Sequence, residues 1–145
     1  MASGTGDPDA RCNAYTIWTA DGVFASSLLT FQQEYDPLAL AMRIAAFITW
    51  KRSGGHGRLT TGDKASGYDP TGTTIIHAPY VSEGIHHFHM DLKGTEPLLA
   101  YRLDARTCEV TLICLTTHRA MFHQNERSWM RRYGGTWRKR SLAPA

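Results

Sequence analysis

No apolar run in this 145-residue chain approaches the ~20 residues that a membrane span requires; the longest, Leu38 to Trp50, is broken by Arg43. Cysteine is scarce. Cys12, Cys108 and Cys114 are an odd number with no C-x-x-C pair, which argues against a disulfide framework and a thiolate zinc site. No H-E-x-x-H is present, so the helix-borne pattern of many zinc hydrolases is excluded. There is no internal repeat and no domain-length linker. Residues 1–12 are mostly small and polar, with none of the apolar character of a signal peptide, and read as a flexible tail. The scarcity of cysteine and of long apolar runs leads to the expectation of a reducing, cytoplasmic setting with no membrane contact.

What is present fits an ordinary globular domain. Hydrophobic residues make up 42% and charged residues 20%, enough apolar surface to build a core without help from a metal. Charge is unevenly placed. Residues 123–145 carry six basic side chains and one acid, leaving the preceding 122 residues with a net charge near −2. This stretch also bears Trp129, Tyr133 and Trp137. A basic, aromatic segment suits RNA, whose phosphates attract cations and whose bases stack on rings. Arg131, Arg132 and Lys139 are therefore candidate RNA contacts, and 123–145 is set apart as a basic C-terminal extension of a domain spanning 13–122.

Periodicity predicts the elements. Asn13 to Thr19 alternates as a short strand, and Ser26 to Tyr35 reads as a first helix. Asp36-Pro37 is a helix start, with a carboxylate cap followed by Pro at the first turn. The second helix then runs from Pro37 to Arg52, placing Leu40, Ile44, Phe47 and Ile48 on one face before Gly54-Gly55 stops it. Residues 53–74 are rich in Gly, Thr and Ser and read as a long connection. Strands are expected at Ile85–Asp91, Pro97–Leu103 and Glu109–Leu115, the last two joined by a hairpin. In the third, Val110, Leu112 and Cys114 should share one face. Both hairpin strands are apolar on two faces, as at the centre of a sheet covered on both sides. Thr116 or Thr117 is expected to cap a short turn through Phe122. The fold class is α+β, with one N-terminal strand, two helices and a three-stranded antiparallel meander.

Seven histidines are present, and five of them (His77, His86, His87, His89 and His118) fall at ends or edges of the expected sheet. Alternation puts His87 and His89 on one face and His86 on the other. Imidazole suits proton transfer at neutral pH better than any other side chain. Metal-free RNA cleavage needs a base for the 2′-hydroxyl, an acid for the departing 5′-oxygen, and cations for the phosphorane. His77, His89 and His118, with Asp91 or Glu96 and Arg102 or Arg119, supply those types.

Four segments carry a more specific likeness: His77-Ala78-Pro79-Tyr80, His86-His87-Phe88-His89-Met90, Leu98-Leu99-Ala100-Tyr101-Arg102, and Thr116 through Phe122. Together they resemble the YafQ branch of the RelE-like mRNA interferases over residues 75–122. The resemblance implies His118 as principal acid/base residue, His89 and His77 as its partners, and Phe122 as a wall or nucleotide platform. Glu96 falls at the family's acidic position, with Asp91 as the alternative acid. It further implies mRNA on the ribosome as substrate, a cognate antitoxin as partner and no cofactor or metal. Two other readings stay open: an inactive RNA- or partner-binding module of the same fold, and a zinc site built from His87 and His89 with His118 or His77.

Overall fold

The computed structural model describes residues 12–55, 57–58, 68–69, 78–90, 92, 97–124 and 126–144. His77, Asp91 and Glu96 lie outside the described residues. The chain forms a small α+β domain on a mixed sheet. In order come β1 (Thr16–Ala20), α1 (Val23–Phe31), α2 (Pro37–Arg52), the two-residue strands β2 (Gly57–Arg58) and β3 (Tyr68–Asp69), α3 (Ala78–Glu83), β4 (Ile85–His89), β5 (Leu98–Asp104) and β6 (Glu109–Thr116). A π-helical turn (Arg119–Gln124), α4 (Glu126–Tyr133), a 3-10 turn (Thr136–Arg138) and β7 (Arg140–Leu142) complete the chain.

The strand order is β2-β3-β4-β5-β6-β1-β7, with β1 parallel to β6 and the other pairs antiparallel. The expected succession of strand, two helices and three-stranded meander holds only in part: β2, β3 and α3 stand between the second helix and the meander, and β7 joins the sheet after it. Helix α2 begins as its sequence dictates, with the Asp36 carboxylate accepting from the Ala39 N–H at 3.1 Å. It ends at Gly54, whose φ of 81° suits glycine and whose missing Cβ leaves room for the Asn13 carbonyl. Helix α1 lies earlier than expected, because Gly22 starts it and the chain turns off after Phe31.

The sheet is covered on both faces. Helix α2 places Leu40, Ile44, Phe47 and Ile48 against Phe88, Leu99, Tyr101, Leu112 and Leu115, with Phe24, Leu28 and Phe31 of α1 at the margin. On the second face Tyr80, Leu98, Ala100, Ile113, Cys114 and Met121 pack with Trp129 and Trp137. The basic segment is therefore not an appendage to a domain ending at residue 122. Its two tryptophans are buried, and β7 extends the sheet by pairing with β1.

Two further expectations are corrected. Cys114 does not share a face with Val110 and Leu112. Ala100 pairs with Cys114 while Tyr101 pairs with Leu112, so Ile113 is an extra residue on β6. This bulge turns Ile113 and Cys114 to the second face together. It also reverses the alternation beyond it, so Thr116 faces Trp129, whose indole N–H donates to the Thr116 hydroxyl at 3.3 Å.

The second correction concerns Cys12 and Cys108, which form a disulfide across 96 residues of sequence. A count of three cysteines hides it, because the odd one, Cys114, is buried and unpaired with another cysteine. The bridge removes the basis for inferring a reducing compartment. Disulfide cross-links typically stabilise by about 2–4 kcal/mol. Cys12→Ser should therefore lower Tm by on the order of 10 °C, and a reductant should lower wild type to the same value without moving the variant. Equal melting of wild type with and without reductant would contradict the bridge.

Candidate functional site

Strands β4 and β6 run in the same direction on either side of β5, so both deliver their C-terminal ends to one edge of the domain. His87 pairs with Ala100, and His89 with Leu98. Leu98 and Ala100 in turn pair with Thr116 and Cys114. His87 and His89 therefore stand on the second face, beside the point where β6 ends. There the chain turns: the Thr117 hydroxyl accepts from the Ala120 N–H at 3.1 Å, and the Thr117 carbonyl accepts from the Met121 N–H at 3.1 Å. The threonine cap read from the sequence is thus Thr117, and it brings His118 back over the strand histidines.

The three rings meet. Centroids are 4.9 Å apart for His87–His89, 4.9 Å for His89–His118 and 5.2 Å for His87–His118. One nitrogen from each lies within 4.8 Å of the other two. All three residues are half-buried, and the Nε2 atom of His118 is itself buried. Phe122, from the π-helical turn, sets its ring edge-on at 5.0 Å from His87 and 5.4 Å from His118. Behind it, Tyr80 of α3 packs edge-on against both Phe122 and Trp129, and its phenol donates to the Met121 carbonyl at 2.5 Å. The wall of the trio is thus tied to α3 and α4.

Of the residues singled out in sequence, His89, His118 and Phe122 are brought together. Arg119 follows His118 and is exposed. Arg102 is placed elsewhere. It pairs with Ile85, at the far end of β4 from His89, roughly 13 Å along the strand. Its guanidinium donates to the Glu83 carbonyl at 3.0 Å and lies over the Trp137 ring, roles that support the C-terminal segment. Arg131 and Arg132 are exposed on α4. The Arg131 guanidinium donates to Ser128, while that of Arg132 lies over Tyr133 at 5.1 Å. Lys139 is exposed just before β7, where its carbonyl accepts from the Asp21 N–H.

Two residues of the site have no catalytic place in the reading of the sequence. His87 completes the trio; its alternation with His89 is the available signal, and spacing alone suggests it only as a metal ligand. Tyr80 stands in the sequence as part of a motif, and its anchoring role depends on a long-range contact that spacing cannot reveal. Alternation also separates off His86, which stacks on Tyr101 on the opposite face.

Cys114 lies beneath this edge, close to Tyr133. Burial pushes the Cys114 thiol up to about 12, partly offset by Arg132 and the Tyr133 hydroxyl. Burial likewise raises Tyr80 and Tyr133 above the usual phenol range. These groups fold in their neutral forms. Their contribution to stability is present below the unfolded pKa values and is lost as pH rises from about 9 towards 12 and beyond. Cys114 should accordingly resist iodoacetamide at pH 9 in the native protein and react rapidly in denaturant. Equal rates in both states would contradict that burial.

Among the described residues, no helix is long and apolar enough to cross a membrane. No family model matches the chain, and no curated protein matches it. Among solved structures, it is similar to a metal-bound toxin from Helicobacter pylori, with 16% identity and a TM-score of 0.43 over 74% of this chain and 99% of that one. A likeness of this degree assigns neither family nor activity.

Proposed function

We propose that the chain is an endoribonuclease of the RelE/YafQ-like type, cleaving RNA by proton transfer among His87, His89 and His118. The observation carrying this reading is the meeting of three imidazoles, from β4 and from the turn after β6, within 4.8 Å. Closely spaced rings disfavour a second positive charge, so one can hold a proton while a neighbour stays neutral. The reaction needs that division of labour. A neutral ring takes the 2′-hydroxyl proton as the 2′-oxygen attacks phosphorus. A protonated ring gives its proton to the 5′-oxygen as the P–O5′ bond breaks. The products are a 2′,3′-cyclic phosphate and a 5′-hydroxyl. His118, set on the turn and facing both strand histidines, is assigned the principal role. Arg119 is the cation offered to the phosphorane and Phe122 the wall against which a nucleotide rests. His77 and either Glu96 or Asp91 are proposed as further members of the site. Messenger RNA on the ribosome is the proposed target, with an antitoxin protein as partner; that target, and not the cysteine content, is the ground for proposing a cytoplasmic setting. Incubating the purified chain with messenger RNA, both free and on ribosomes, in magnesium buffer containing a zinc-selective chelator tests the reading: discrete cleavage products are expected, and RNA left intact in both settings with retained binding would identify an inactive RNA-binding module instead.

A second reading rests on the same nitrogens. Three neutral imidazoles can hold zinc and leave a fourth position open. Zinc–nitrogen bonds of about 2.0–2.1 Å would bring the ligand atoms to roughly 3.3 Å from one another, so the rings, whose nitrogens lie within 4.8 Å here, would draw together to hold the ion. Binding of one zinc ion per chain, lost in His118→Ala, together with cleavage abolished by chelator, would favour this reading over the first.

A further inference from the structure

A groove of about 640 Å³ opens beside the histidine edge, between α1 on one side and the π-helical turn and α4 on the other. Its floor is Leu115, Thr116 and Thr117, the residues that lead directly into His118. The trio lies on the β4 side of this strand end, and the groove lies on the β1 side. The site is held open by a specific contact: beyond the end of β1, the Leu115 N–H donates to the Ser27 hydroxyl at 2.9 Å, so α1 rather than another strand borders β6. The volume is within the range of pockets that enclose small ligands.

The lining carries charges of both signs. Arg132 lies over the Tyr133 ring and makes no ion pair among the described residues. The Asp21 carboxylate accepts from the Ser141 hydroxyl at 2.6 Å. Ser26 and Thr30 line the α1 wall, with Phe31 and Ala120 supplying apolar surface. A guanidinium suits a phosphate, and an acceptor-only carboxylate repels phosphate but accepts from a sugar hydroxyl. Phe31, in the α1 wall, is the ring set beside a base.

We propose that this groove is a subsite for single-stranded RNA flanking the scissile phosphate, with a phosphate at Arg132 and a ribose hydroxyl at Asp21. This deepens the ribonuclease reading and rests on it. β4 and β6 are two strand spacings apart, roughly 10 Å, so a substrate must extend past the scissile dinucleotide to occupy both places.

The test uses Ser26→Trp, which fills the groove from the α1 wall, and Arg132→Glu, which reverses its cation. Both positions are exposed. Cleavage of a ribodinucleotide is compared with that of a strand of about ten nucleotides containing the same step. Binding is measured separately by anisotropy, using the longer strand with a single 2′-deoxy substitution at the scissile nucleotide. The ratio of kcat/KM for long over short substrate should fall by about tenfold or more in both variants, through KM, with a matching rise in Kd. A ratio within about twofold of wild type in both variants, with Tm unchanged, overturns the subsite while leaving the ribonuclease intact. Should wild type cut neither substrate, nor messenger RNA on ribosomes, yet both variants weaken binding of the deoxy-substituted strand, the ribonuclease reading fails and the groove stands as an RNA site.

Discussion

His118→Ala is expected to lower kcat/KM for RNA cleavage by a factor on the order of 10²–10⁴, the range that a positioned acid or base contributes. The ring is half-buried and meets His87, His89 and Phe122, the last packed on the margin of the second buried cluster. Its removal should lower stability only modestly, by about 1 kcal/mol. The turn that carries it is held by backbone and Thr117 contacts that do not involve the imidazole. His89→Ala should cost activity as well, and the double variant should lose far less than the product of the two single losses, because residues acting as one proton-transfer unit are not additive. Kinetics of the four proteins on one RNA check this. Multiplicative losses would mean that the rings act independently, and a shared proton-transfer unit would have to be abandoned.

Trp129→Ala should produce the largest loss of stability, about 3–5 kcal/mol for a buried aromatic reduced to a methyl group. Trp129 lies between the rings of Tyr80 and Tyr133 and donates to Thr116. Those neighbours reach the site: Tyr80 backs Phe122, and Thr116 leads into Thr117 and His118. Activity should fall even below the unfolding transition, since the wall behind the trio loses its support. Trp129→Phe separates the two roles. It keeps most of the apolar surface and loses the indole hydrogen bond, costing nearer 1 kcal/mol. Chemical denaturation of both variants, with cleavage assayed well below each midpoint, provides the check. A Trp129→Ala protein as stable as wild type would show that α4 is not integral to the domain.

Local chemistry makes much of this architecture legible. Helix α2 matches its expected bounds because an Asp-Pro start, a four-turn apolar face and a glycine stop all act within a few residues of one another. The hairpin strands declare themselves by apolar residues on both faces, and period-two alternation places His87 with His89 and away from His86. What the sequence conceals is non-local. The bulge at Ile113 has no local signature, since Leu-Ile-Cys-Leu is apolar on both faces and fits either register; only the pairing with Ala100 and Tyr101 reveals that Cys114 turns over. The Cys12–Cys108 bridge joins positions 96 residues apart. The C-terminal tryptophans resemble an RNA-binding tail because charge dominates that stretch, whereas their burial depends on an apolar surface provided by β5, β6 and α3. Arg102 misleads for a related reason: its spacing in β5 suits a site, but the antiparallel register carries it to the opposite end of β4.

The central claim is that imidazoles drive attack by a 2′-hydroxyl. It is tested most directly by digesting a defined RNA with the purified chain in EDTA, beside the same RNA carrying one 2′-deoxy nucleotide at the mapped cleavage position. A 2′,3′-cyclic phosphate end is expected on the first substrate, and no cut at that position on the second. Cleavage of both at equal rates, or loss of all cleavage on chelation, would contradict it.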